Sequence, residues 1–235
     1  MLTKVVGVGG RKGGSGKTTI SHMVATGLAF IARLNDHEGL TPETIVSLLV
    51  TDPDSEVPSP EGRYFECVDA RDSKEADRII VALDTAPDPI AMVIDSAARQ
   101  VELDVRLVKG ADIFLLPVTP DDDSGIKAIK DLLFYRDQGM EVSRIWIVPN
   151  NWTASPAIRA ETEEKLFDGL AAWDGGKGWK NIMAPIFTKP TLNRLTRLDD
   201  PGARRDQLRT CVDLTRDILL AIDGKYQPYT GFVAE

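Results

Sequence analysis

No apolar run in this chain reaches the roughly eighteen residues that a membrane-spanning helix requires. Met1 to Val6 passes straight into a strand-like run, without the charged, apolar and cleavage segments of a secretory leader, so a cytoplasmic protein is expected. Cysteine is scarce. Cys67 and Cys211 are far apart, in no metal-like spacing, and read as reduced, partly buried thiols. His22 and His37 are equally isolated, so no zinc site is expected. Positive charge is also short: a formal net charge of −8 argues against a surface coated with nucleic-acid-binding cations. Acids collect around Asp52 to Glu61 and Asp121 to Asp123, and arginines between Arg194 and Arg209. Internal repeats and low-complexity tracts are absent.

What remains is an alternation of short apolar runs and amphipathic stretches. Strands are expected at Val5 to Val8, Ile45 to Val50, Tyr64 to Val68, Ala91 to Ile94, Ile113 to Val118, Arg144 to Val148 and Ile182 to Phe187. Helical spacing marks Ile20 to Ile31, and Lys74 to Leu83 with Ala76, Ile79, Ile80 and Leu83 inward. It also marks Ser124 to Asp137 with Ile126, Ile129, Leu132 and Leu133 inward, and Glu161 to Trp173. Ala203 to Ile222 closes the series, with Leu208, Cys211, Val212, Thr215, Ile218, Leu219 and Ile222 on one face. Strands that are apolar throughout and alternate with helices imply an α/β fold: a mostly parallel twisted sheet with helices on both faces. The 235 residues suit a single domain, with 224–235 an extended tail that either straps onto it or frays. Asp52 to Arg63, rich in proline and acid, is the expected mobile loop.

Chemistry concentrates where the first strand meets the first helix. A triphosphate needs closely spaced backbone N–H donors, a cation and a metal ligand. Gly13, Gly14 and Gly16 let the backbone approach phosphates with no Cβ in the way. Ser15 and Thr19 complete the loop, and the helix opening at Lys17 turns its positive end toward the same place. Lys17 reaches the β- and γ-phosphates in such a loop, and the Thr18 hydroxyl binds Mg2+. ATP with magnesium is therefore the expected cofactor. Ala91 to Asp95 has the form of a second phosphate-site strand, whose terminal carboxylate, Asp95, holds a magnesium-bound water.

The strict loop pattern wants glycine five residues before Gly16, where this chain has Arg11. Lys12-Gly13-Gly14-Ser15-Gly16-Lys17-Thr18 instead resembles the deviant Walker A motif of the ParA/MinD family of P-loop ATPases. The resemblance implies an ATP-sandwiched homodimer in which Lys12 reaches the partner's nucleotide. Leu48 to Pro53 is similar to the family's second motif, and Asp52 falls on the aspartate that orients the attacking water there. Val50 replaces the aspartate that usually precedes it, which weakens a link to the magnesium shell. After Asp95, Ser96-Ala97-Ala98 stands where the family has a small residue and prolines. Gly110 to Pro120 matches an architectural element of the family. Asn150 or Asn151 sits where the family often reads the adenine edge, and serves equally well as a turn residue. The resemblance spans about residues 4–195 and fades beyond Asn151.

For function, the resemblance implies a slow ATPase of the compact ParA type. Such a protein binds DNA without sequence preference over the nucleoid and is released by a ParB-like or cargo-adaptor partner. Lys189, Arg194, Arg197, Arg204, Arg205 and Arg209 are the candidate phosphate contacts. Asp199, Asp200, Asp206 and Asp213 lie among them, so a solvated helix face is the competing reading. A membrane-binding relative needs a basic amphipathic terminal helix, which Tyr226 to Phe232 does not offer. An iron–sulfur carrier needs paired cysteines at matching motifs, which are missing. Two rivals stay open: a biosynthetic ATP-dependent ligase of the dethiobiotin or cobyrinate type, and a nucleotide-binding scaffold that barely hydrolyses ATP. The segment Trp152 to Lys180 has no assigned role.

Overall fold

The computed structural model describes residues 2–53, 56–59, 61–96, 105–106, 109–121, 123–153, 155–188 and 201–231. Its strands are β1 (Leu2–Val8), β2 (Ile45–Val50), β3 (Glu66–Asp69), β4 (Ile90–Asp95), β5 (Ile113–Val118), β6 (Ile145–Trp152) and β7 (Ile186–Phe187). They form one sheet in the order β3-β2-β4-β1-β5-β6-β7. Every adjacent pair is parallel. The reason lies in the side chains: all six residues of β4 and all six of β5 are buried, so both faces of these strands must be covered.

The covering helices are α1 (Lys17–Leu34), α2 (Ser73–Thr85), α3 (Ser124–Asp137), α4 (Pro156–Ala171) and α5 (Pro201–Ile222). On one face α1 and α5 share a core that includes Met23, Leu28, Ile31, Cys211, Ile218 and Leu219. On the other, Ala76 of α2, Leu132 and Tyr135 of α3 and Leu166 of α4 pack over Phe114 and Ile147. Helix contacts are close because glycine permits it. A Cβ on Gly27 of α1 would lie 2.1 Å from Thr215 Oγ1 on α5. Gly125 of α3 and Gly169 of α4 meet backbone to backbone.

Several expected boundaries move, each for a local reason. The helix expected from Glu161 begins at Pro156, whose missing N–H costs nothing in the first turn, and ends at Ala171 before a 3-10 turn at Trp173–Gly176. The strand expected from Ile182 shrinks to Ile186–Phe187, with one isolated bridge between Ile182 and Ile147. The Ala184 amide donates to the Tyr226 hydroxyl instead of a ladder, and Pro185 has no amide to give. The third strand starts two residues late, at Glu66, because Tyr64 turns out to pack edge-on against Phe30, 4.8 Å between centroids. Ile126, expected inward, is 52% exposed. Contact between Gly125 and Gly169 sets the buried face of α3 at Gly125, Ala128, Leu132 and Tyr135, leaving Ile129 and Leu133 half-buried. The side chains of Ile80 and Leu83 lie outside the described residues. Beyond α5 the chain lies along the sheet edge, where the Tyr229 amide donates to Ile182 O and its hydroxyl to Glu163 Oε1.

Because all strands run parallel, their C-terminal ends share one edge of the sheet. Chain order reverses beside β1, from the β2–β3 side to the β5–β7 side, and that switch point is where an open parallel sheet offers room for a ligand. The glycine loop stands there.

Candidate nucleotide site

Residues 9–16 leave β1 and turn into α1 through glycine conformations: Gly14 has φ 74° and Gly16 φ 90°. Gly16 caps α1 with no side-chain hydrogen bond, and the first turn carries no acidic residue. The positive end of an eighteen-residue helix is thus left to an incoming anion. A Cβ built on Gly13 or Gly14 would meet nothing within 4 Å, so the space beside these two residues is open. Lys17 Nζ donates to Lys12 O at 3.0 Å, placing its ammonium across the loop mouth.

Behind the loop stands Asp95. The residue is 3% exposed, and its Oδ1 accepts the Ser21 hydroxyl at 3.0 Å. Burial pushes its pKa up to about 6. Hydrogen bonds from Thr18 and Ser21 and the Lys17 charge oppose that rise, while the Asp52 carboxylate adds to it. Asp95, Thr18, Lys17 and Asp52 therefore share one electrostatic neighbourhood. A buried carboxylate raised by burial, next to a threonine hydroxyl at a helix start, is a donor set that fits Mg2+ with a polyphosphate. Thr51 fixes the neighbouring strand end: its hydroxyl donates to Asp95 O at 3.0 Å.

The loop is held from the β5–β6 side. Gly10 N donates to Tyr135 Oη (3.2 Å), and Arg11 N to Asp131 Oδ2 (3.2 Å). Arg11 thus fills the place of the missing glycine with a tether to α3. Asn150, at the end of β6, donates its side-chain amide to Ser15 O at 3.0 Å. Lys12 Nζ donates to Thr119 Oγ1 at 3.0 Å and pairs with Asp121, which Lys127 also approaches at 3.5 Å. Partial burial works to raise the Asp121 pKa, but Lys12 and Lys127 hold it below the usual carboxylate range. On the opposite flank, Arg63 Nη1 lies 3.1 Å from His22 Nδ1. An arginine only donates, so this nitrogen accepts. Burial first, then the Arg63 charge, depress the His22 pKa to about 3.

Among the described residues, Lys12, Gly13, Gly14, Ser15, Gly16, Lys17, Thr18, Thr19, Asp52, Asp95 and Asn150 are gathered at this edge. Asn151 follows Asn150 with an exposed side chain and φ 62°. The cationic residues are not brought together in the same way. Lys189, Arg194 and Arg197 lie outside the described residues, as do the side chains of Arg204 and Arg205. Arg209 is exposed on α5 and pairs with Asp213 at 3.7 Å. Within the expected mobile loop, residues 54, 55 and 60 lie outside the description, while Arg63 is fastened to Ser59 O and His22. No helix among the described residues is long and apolar enough to cross a membrane.

Ser21, Tyr135 and Asp131 fall in no motif, and Thr51 and Thr119 lie inside matched stretches that give them no role of their own. Ser21 left one trace, a polar residue directly after Ile20 on the buried face of α1.

No protein-family model matches the chain, and no curated protein matches it in sequence. Solved structures do. A ParA family ATPase from Chlorobium tepidum aligns with TM-score 0.60 at 18% identity, covering 91% of this chain and 99% of that one. The fold is that of the ParA and MinD ATPases. The septum site-determining protein MinD of Pyrococcus horikoshii, complexed with Mg-ADP, aligns with TM-score 0.56 at 14% identity, over 95% and 96% of the two chains. Cobyrinic acid a,c-diamide synthase of Mycobacterium smegmatis aligns with TM-score 0.61 at 13% identity, over 99% and 100%. The ParA/MinD fold thus carries both a positioning-type ATPase and a biosynthetic enzyme, and the site must discriminate.

Proposed function

We propose that this chain is a ParA-type ATPase that binds Mg-ATP on the loop from Lys12 to Thr19. The observation that carries the reading is Asp95, buried behind Thr18 and Ser21 at the uncapped start of α1. When bound, Mg2+ neutralises charge on the transferring phosphoryl group. Thr18 would ligate it and Asp95 would hold one of its waters. Backbone amides of Gly13, Gly14, Ser15 and Gly16 hold the phosphates. Lys17 exchanges Lys12 O for phosphate oxygens, and Thr19 extends the α1 amide row. Asp52, at the end of β2, orients the attacking water, and Asn150 and Asn151 flank the nucleotide from β6. Lys12 leaves Asp121 to reach the nucleotide of a second copy, which makes the active form a homodimer. The dimer binds DNA through Lys189, Arg194, Arg197, Arg204, Arg205 and Arg209 and is released when a ParB-like or cargo-adaptor protein stimulates hydrolysis.

A titration of Mg-ATP into wild-type protein and Lys17→Ala tests the core of this reading. Wild type should bind and Lys17→Ala should not; equal binding would discredit the loop assignment. ATP-dependent, salt-sensitive retention on random-sequence DNA tests the positioning role.

The full-length match to a cobyrinic acid synthase supports a second reading, an ATP-dependent ligase that activates a small carboxylate. ATP turnover that required such a carboxylate and ignored DNA would favour it.

A further inference from the structure

Asn150 faces the phosphate loop, not open solvent. It is 7% exposed at the end of β6, held there by pairing with Ile186 of β7. Its Nδ2 donates to Ser15 O at 3.0 Å. The next residue, Gly16, lies directly against it: a Cβ there would fall 2.2 Å from Nδ2 and 3.4 Å from Cγ. The amide occupies the space beneath the loop that any side chain at position 16 would need.

This contact fixes more than a carbonyl. In a planar trans peptide the C=O of residue 15 and the N–H of residue 16 point in opposite directions. With Ser15 O turned down to Asn150, Gly16 N–H is turned up, away from β6. Gly14 at φ 74° and Gly16 at φ 90° flank the Ser15 peptides, and glycine adopts either sign of φ at little cost. A peptide set among such residues rotates easily unless something outside the loop holds it. Among the described residues, Ser15 Oγ bonds the loop's own Lys12 O, at 3.3 Å, and reaches no anchor beyond the loop.

We propose that Asn150 is a positioning residue for phosphate binding: it orients the Ser15–Gly16 peptide so that the Gly16 N–H faces the phosphate chain. This rests on the nucleotide-site reading above and assigns Asn150 to the phosphate end of the ligand, not to the base. The consequence is chemical. A residue that reads a base matters only for ligands with a base, whereas one that sets a loop amide matters for any polyphosphate.

The test uses two ligands, Mg-ATP and magnesium with inorganic triphosphate, titrated calorimetrically into wild type, Asn150→Ala and Asn150→Asp. Asn150→Ala should weaken both ligands by the same factor, about tenfold, through loss of one bond to a buried carbonyl. Asn150→Asp keeps the shape but sets an acceptor against Ser15 O, and should weaken both at least as much. It carries the test should the alanine variant not fold, with circular dichroism as the check. Weakened ATP binding with unchanged triphosphate binding would make Asn150 a base reader and overturn the proposal. Unchanged binding of both ligands would overturn it as well. Lys17→Ala separates the two levels. If it loses both ligands while the Asn150 variants bind like wild type, only the role of Asn150 fails. If Lys17→Ala itself binds normally, the nucleotide-site reading fails.

Discussion

Arg11 Nε lies 2.7 Å from Asp131 Oδ1, while Asp131 Oδ2 accepts the Arg11 backbone N–H at 3.2 Å. One carboxylate on α3 thereby holds both the main chain and the side chain of the residue that replaces a loop glycine. The guanidinium also lies over the Phe134 ring, 4.8 Å from its centroid. Asp131→Ala should release the N-terminal half of the loop and weaken Mg-ATP several-fold, a loss of about 1 kcal/mol. Asp131→Asn, which keeps one acceptor, should lose less. Isothermal titration checks both, and wild-type affinity in Asp131→Ala would show the tether to be idle.

Asp95 predicts a pH signature in protein free of nucleotide and magnesium. Its folded pKa of about 6 lies above the ordinary value, so the folded state holds the proton more tightly. The stability it contributes is therefore complete below about pH 4 and is lost as pH rises through about 6. His22 works in the opposite sense. With a folded pKa near 3, its contribution is complete above about pH 6.5 and is lost as pH falls toward 3. Asp95→Asn removes only the first effect. The unfolding free energy of wild type minus that of Asp95→Asn should increase by on the order of 2 kcal/mol from pH 7.5 to about pH 4.5. Urea titrations at several pH values measure it, and a flat difference would contradict the burial argument.

The Gly125–Gly169 crossing brings α3 and α4 together backbone to backbone. A Cβ on Gly125 would sit 2.7 Å from Gly169 Cα, and one on Gly169 would sit 2.6 Å from Gly125 Cα. Neither neighbour is a flexible side chain, so the helices themselves must separate. Gly125→Ala and Gly169→Ala should each cost about 1–3 kcal/mol in urea unfolding. The double variant should cost less than the sum, since one displacement relieves both clashes.

Lys12 is bound within its own chain by a half-exposed ion pair to Asp121. Pairs of this exposure are worth about 0–1 kcal/mol, so the lysine is readily released to a stronger anion. Lys12→Ala should leave Mg-ATP affinity within about threefold, roughly 0.6 kcal/mol, yet abolish ATP-dependent dimers in sedimentation velocity. Persistence of those dimers would remove Lys12 from the interface.

The fold was legible where burial leaves its mark on local sequence. β4 and β5 are continuous apolar runs because both faces are covered, and α1 begins where the glycines end. Legibility failed where the deciding partner is remote. Ile126 was expected inward because its spacing fits a helix stripe, but the glycine contact one residue earlier rotates that stripe. Ile182 to Phe187 has a strand's composition, yet the Tyr226 hydroxyl, some forty residues downstream, takes the amide that a ladder would use. The same division runs through the site. Gly13, Gly14, Gly16, Lys17 and Thr18 were readable as a unit because a glycine-lined turn into a helix is made from consecutive backbone. Asp131, Tyr135 and Thr119 were not, because each meets the loop through more than one hundred residues of intervening chain.

By itself the sequence determined that a glycine-lined turn feeds a helix beside a carboxylate-ended strand, since those features depend on neighbours a few residues away. Tertiary structure decided what that turn leans on: Arg11 on Asp131, Ser15 on Asn150, Ser21 on Asp95. A side chain declares its hydrogen-bonding capacity in one letter. Its partner is chosen only when parallel strands bring their ends to a common edge.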